Sequence, residues 1–249
     1  MTAKVAFALF AALVALAGSS LAATGRQPAS IDDSPARMFA RPRADAPLCR
    51  AGEHELSVTP GRRALMRVTP TRSSKKRALL LALHGAGSGG APGGIWAFRG
   101  AWKLPGLVIV APSAAGTTWS LDRSDIGYVD RVLQAAFRRC RVDATRIAVG
   151  GFSAGAGLAL WLGLGNGDLF RAIVPLSGAP VFPPERIGRP RIVLAHGTLD
   201  DVIPISRGGD AIARSLEADG YMVTYRRFRG GHRAVPAIAR ASVLDALYR

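Results

Sequence analysis

From residue 77 onward, short apolar runs alternate with longer amphipathic stretches. Residues 77–83, 107–111, 146–149, 172–176 and 191–195 are brief runs rich in Leu, Ile, Val and Ala. Each is too short for a stable helix, so each reads as a buried strand, and 222–228 reads as a further one. Between them, 125–139 carries Ile126, Val129, Val132, Leu133, Ala136 and Phe137 at spacings of three and four, the period of an amphipathic helix. Helices are also predicted over 154–164, 212–219 and 235–248. Ahead of this alternation, 55–59 and 64–69 flank Pro60-Gly61 and predict a hairpin.

Strands buried on both faces and separated by helices predict the α/β class: a mostly parallel sheet with helices on both faces. Residues 51–249 are expected to form one domain, and no internal repeat divides it. In such sheets ligands bind beyond the carboxyl ends of the strands, so residues that follow strands are the ones to examine for chemistry.

The first 23 residues fall outside this pattern. Lys4 precedes an apolar run over 5–17, and Gly18 to Ala23 offer small residues for cleavage near Ala22 or Ala23. This is the form of a signal peptide, and it predicts a secreted or periplasmic protein with no stable membrane insertion after cleavage. Residues 24–50, rich in Ala, Pro, Arg and Asp, read as a loose leader. In an oxidising compartment, Cys49 and Cys140 are compatible with one disulfide joining leader to body, or with two free thiols.

The formal net charge is +16 over 249 residues, carried almost wholly by arginine. The arginines are scattered, with no basic helix or aromatic-interleaved stripe, so no nucleic-acid partner is expected. The charge allows weak binding to anionic surfaces. No cysteine or histidine spacing suits a metal, and no cofactor is expected.

Candidate chemistry begins at Gly151-Phe152-Ser153-Ala154-Gly155. This G-x-S-x-G pattern is a weak signal alone in a chain with 29 glycines, but here it directly follows a predicted strand and opens a predicted helix. That context makes Ser153 the candidate nucleophile. A serine needs a base, and a base needs an orienting carboxylate. Of four histidines, His54 lies in the hairpin. His84 and His196 each end a strand in a His-Gly step suited to holding a loop. His232 follows the last strand after Gly230-Gly231 and is the candidate base. Asp200 and Asp201 stand together after 191–195, and the order Ser, Asp, His matches the α/β-hydrolase order.

These residues carry a resemblance. Leu83 to Gly87, Trp119 with Asp125 to Val129, the serine elbow, His196 to Asp200 with Val202-Ile203-Pro204, and Gly231-His232 resemble the α/β-hydrolase superfamily. Within it, the chain is similar to exported esterases of the phospholipase/carboxylesterase, polyhydroxybutyrate-depolymerase and feruloyl-esterase-like kinds. The resemblance spans about residue 53 to the C-terminus. It implies the α/β-hydrolase fold, Asp200 rather than Asp201 as the acid, and an oxyanion hole at the Ala86 amide. The second amide is that of Ala154, next to the nucleophile.

The glycine loop 84–90 lacks the G-K-[ST] ending and the dinucleotide spacing, which excludes phosphate-loop chemistry. Trp119 is a candidate pocket wall or a core residue, and Asp125 a candidate helix cap. The segment 177–189 is too short for a substantial lid, which predicts an open cleft for short or water-accessible esters. Peptidase or thioesterase chemistry on the same triad is the enzymatic alternative. A non-catalytic binding protein of the same fold is the other.

Overall fold

The computed structural model describes residues 34–249, so the expected signal peptide lies outside the described residues. Eight strands form one sheet: β1 (Gly52–Glu55), β2 (Ala64–Val68), β3 (Arg77–Leu83), β4 (Leu107–Pro112), β5 (Val142–Phe152), β6 (Ala172–Leu176), β7 (Arg191–Gly197) and β8 (Val223–Phe228). Their order across the sheet is β1-β2-β4-β3-β5-β6-β7-β8. β1 and β2 pair antiparallel, as do β2 and β4, and all other pairs are parallel. The helices are α1 (Ala91–Ala97), α2 (Arg123–Arg139), α3 (Ala154–Gly165), α4 (Gly209–Ala218) and α5 (Pro236–Tyr248), with a 3-10 turn over Arg99–Lys103. This is the expected mostly parallel α/β architecture, and residues 177–190 between β6 and β7 contain no helix or strand.

The two-residue period of a strand explains why the runs are apolar throughout. Along β3, Leu79, Leu81 and Leu83 pack with α2, α3 and α4 on one face, while Ala78, Leu80 and Ala82 pack with α1 and α5 on the other. All six are completely buried. The helices between successive parallel strands cover the two faces, and the strand order reverses at β3 and β5. A crevice opens beyond the strand ends at such a reversal.

Three local expectations change. The first hairpin strand lies earlier than 55–59, because the chain turns inward at Leu56, which is 1% exposed. Beyond it a Thr59–Arg62 bridge closes a small loop around Pro60-Gly61. Helix α2 starts at Arg123 and is capped by Asp122, whose side chain accepts from the Ser124 N–H, so Asp125 is not its cap.

The segment expected to be a loose leader is irregular but fixed from Ser34 onward. Ala36, Met38 and Ala40 are buried. The Asn166 side chain accepts from the Met38 N–H and donates to the Ala36 carbonyl, at 2.8 and 2.7 Å. Asp130 accepts from both the Phe39 and Ala40 N–H groups at 2.8 Å. These side chains satisfy an extended backbone that forms no ladder. A Cys49–Cys140 disulfide fastens the end of the segment to the turn after α2.

Candidate active site

Ser153 occupies the turn between β5 and α3, with φ 55° and ψ −119°. This region strains any residue with a Cβ and persists only where the surroundings enforce it. Here they do. The Ser153 N–H donates to the Leu176 carbonyl, continuing the β5–β6 ladder. The motif glycines are sterically required: a Cβ on Gly151 would stand 2.1 Å from the Gly155 carbonyl oxygen, and one on Gly155 would stand 2.3 Å from that of Leu83. The backbones of β3, β5 and α3 therefore meet at contact distance, and the serine is directed into the crevice.

His232, on the loop between β8 and α5, places Nε2 2.9 Å from Ser153 Oγ. Its Nδ1 lies 2.8 Å from Asp200 Oδ2. A carboxylate only accepts, so Nδ1 carries the proton and Nε2 is left to accept from the serine hydroxyl. The Phe152 ring, 4.9 Å from the imidazole between centroids, packs against the histidine.

Asp200 is held on every side. Oδ1 accepts from the Val202 and Ile203 N–H groups at 3.0 and 2.9 Å. Oδ2 lies between His232 and His196 Nε2, the latter at 3.3 Å. The Gly209 N–H donates to His196 Nδ1, so His196 Nε2 bears the proton that faces both Asp200 and the Ile203 carbonyl. Burial opposes ionisation of Asp200, but hydrogen bonds from His196, His232 and the Ile203 N–H outweigh it and hold the carboxyl well below its ordinary range. Asp201 is exposed and its side chain is not the one that meets the imidazole.

The glycine loop after β3 passes directly beside Ser153. A Cβ on Gly85 would lie 3.3 Å from that of Ser153 and 3.0 Å from the Phe152 ring. Ala86 follows on this loop, and Ala154 is the first residue of α3, so its N–H has no acceptor within the helix. His84 anchors the loop. Its Nε2 accepts from the Ala114 N–H at 3.0 Å, and its Nδ1 then donates to the Gly85 carbonyl at 2.8 Å. Burial pushes its pKa down and keeps it neutral.

Trp119 is not a pocket wall. It is 2% exposed, packs in the core at 4.5 Å from the His84 ring, and donates from Nε1 to the His84 carbonyl at 2.8 Å. A buried indole must satisfy its N–H, and here that need ties the tryptophan to the loop from below. Asp125 is buried against Arg62 and accepts from the Ala115 and Ser120 N–H groups, which fixes the loop on which Trp119 sits. His196 holds its loop as expected, but its contact with Asp200 and the roles of Phe152 and Asp125 were missed in the sequence. Only the histidine offered a signal, in its position four residues before Asp200.

Among the described residues no group of His, Cys, Asp or Glu could hold a metal, and no helix is long and apolar enough to cross a membrane.

The phospholipase/carboxylesterase family matches residues 121–238, which include all three members of the Ser153, Asp200 and His232 constellation. Esterase PE8 is 24% identical, with a TM-score of 0.57 over 72% of this chain and 97% of its own. A phospholipase/carboxylesterase from Dyadobacter fermentans is 20% identical, with a TM-score of 0.54 over 72% of this chain and 95% of its own. The fluorophosphonate-binding serine hydrolase F of Staphylococcus aureus is 15% identical, with a TM-score of 0.61 over 77% and 96%. A comparison with curated protein sequences finds no match. The chain has the fold of these esterases, and over residues 121–238 it is similar to the phospholipase/carboxylesterase family.

Proposed function

We propose that the protein is a serine esterase working through an acyl-enzyme, with Ser153 as nucleophile, His232 as base and Asp200 as orienting acid. The observation that carries this reading is the continuous hydrogen-bond chain, 2.9 Å from serine to imidazole and 2.8 Å from imidazole to carboxylate, on a strained elbow. His232 Nε2 takes the hydroxyl proton as Oγ bonds to the ester carbonyl carbon. The carbonyl oxygen becomes an oxyanion, which the Ala86 and Ala154 N–H groups receive, aided by the positive end of α3. The imidazolium then gives its proton to the departing alcohol. Water repeats the sequence on the acyl-enzyme, releasing the acid and restoring Ser153.

Short or water-accessible esters suit the cleft, since 177–190 forms no helix that could cover it. Export to the periplasm or medium, drawn from the first 23 residues, belongs to the same reading.

A fluorophosphonate probe tests the proposal, and the Staphylococcus aureus neighbour is itself described as fluorophosphonate-binding. Wild type is expected to be labelled at one site under mild conditions, and Ser153→Ala not at all. An unlabelled wild type, or a labelled Ser153→Ala, overturns it.

A further inference from the structure

Beside His232 lies a cavity of about 320 Å³, lined in part by Trp96, Arg99, Phe152 and Arg233. That is the lower end of the size range of small-molecule sites. Two aromatic rings contribute to its apolar surface, beside Ala97 and Ala234. Phe152 packs on the catalytic imidazole, while Trp96 is 59% exposed, an unusual position for so large a ring. The Arg99 guanidinium stands 4.6 Å above the Trp96 ring and spends one donor on the Trp96 carbonyl, leaving the rest of its fork available.

The charge here is uncompensated. Some arginines of the chain do meet carboxylates, such as Arg37 with Asp168, Arg62 with Asp125 and Arg186 with Asp219. Among the described residues, neither Arg99 nor Arg233 has a carboxylate partner, and no acidic side chain lines the cavity. A guanidinium over an aromatic ring, with a second arginine lining the same cavity, matches a flat ring that bears an anionic group. The arm of an ester that lies against His232 is its alcohol, because that imidazole protonates the departing oxygen.

We infer that this cavity is the alcohol subsite, and that the preferred substrates are esters whose alcohol part is aromatic and carries an anionic group such as a carboxylate. The inference rests on the esterase reading above and adds the substrate class.

The test compares 4-acetoxybenzoate with its methyl ester. Both have the same acyl group and ring and differ in charge. The ratio of kcat/KM for the anionic over the neutral ester is measured in wild type, in Arg99→Gln, in Arg233→Gln and in the double variant. A ratio within one variant does not depend on how much of it is folded, and comparing ratios between variants cancels the intrinsic reactivity of the two esters. The double variant is expected to lower the ratio by about 10- to 100-fold, the size of charge-assisted hydrogen bonds lost to an anion. Added salt is expected to lower it in wild type but not in the double variant. An unchanged ratio in the double variant overturns the inference. So does a wild type that takes up the fluorophosphonate probe but hydrolyses neither ester, and in that case the esterase reading stands. A wild type that fails to take up the probe fails the esterase reading itself.

Discussion

Two loops of the candidate site, one beside Ser153 and one carrying Asp200, begin at the same dipeptide. His84-Gly85 directly follow β3, and His196-Gly197 are the last two residues of β7. Both imidazoles are buried, each accepts one backbone N–H, and each then donates to a carbonyl. The difference lies in what stands behind them. His84 rests on Trp119, a neutral aromatic prop, and holds the glycine loop that carries Ala86. His196 rests beside Asp200, a permanent anion, and adds a donor to it. The comparison teaches that one local device, a histidine locked into a single tautomer by its own loop, can serve a neutral scaffold or an ionised one. The neighbour decides which.

The largest effect is expected on the acid side. Asp200→Asn removes the acceptor that fixes the His232 tautomer and is expected to lower kcat by about 10⁴-fold, with KM little changed. Asp201→Asn is expected to behave much as wild type. Steady-state kinetics of the two variants checks this, and equal losses in both would erase the distinction between the neighbours.

The two histidines separate by pH. His84→Leu and His196→Leu each strand a buried carbonyl and N–H, so each is expected to cost about 1–3 kcal/mol at pH 7. Burial lowers the pKa of His84 below its ordinary 6.5. The unfolded chain therefore takes up the proton first, and wild type loses stability as pH falls below that value. His84→Leu lacks this loss, so its deficit should narrow below about pH 6.5. Asp200 is depressed below its ordinary 3.8, so its stabilisation is present above that value and fades as pH falls beneath it. His196→Leu removes part of that depression, and its deficit should narrow in this more acid range. Denaturant titrations across pH measure both, and a common window would break the comparison.

The smallest effect belongs to Trp119→Phe. It keeps an aromatic ring against His84 and loses one hydrogen bond, about 1 kcal/mol by chemical denaturation. Selectivity among ester substrates is expected not to move, since the residue faces the core. A changed selectivity would return Trp119 to the pocket.

Much of this was legible in the residues, for physical reasons that differ from place to place. The runs at 77–83 and 172–176 became strands with those bounds because burial on both faces leaves no polar position to confuse the period. Ser153 and His232 were legible because a strained elbow and a glycine-bordered loop each leave a composition signature. Helix α1 was not, because Ala91-Pro92-Gly93-Gly94 reads as a turn. Its glycines instead reflect close packing, since a Cβ at Gly93 would stand 2.1 Å from the Ser88 carbonyl oxygen and one at Gly94 2.5 Å from that of Ala82. Asp200 and Asp201 were not separable from the residues alone, since the direction of a side chain on a loop is set by the hydrogen bonds that fold it. Trp119, a lone aromatic without periodic neighbours, gave no hint of which way it faced.

The Cys49–Cys140 bond turns the front of the protein into a closed loop of chain. Within that loop lie β1 to β4 and the glycine stretch with Ala86, while Ser153, Asp200 and His232 all follow it. Gly87 and Gly89 are exposed there, the kind of site a protease reaches first. A single cut between them would open the ring without releasing a fragment. The severed halves would remain covalently one molecule until the disulfide was reduced, with the remains of the loop held beside the serine.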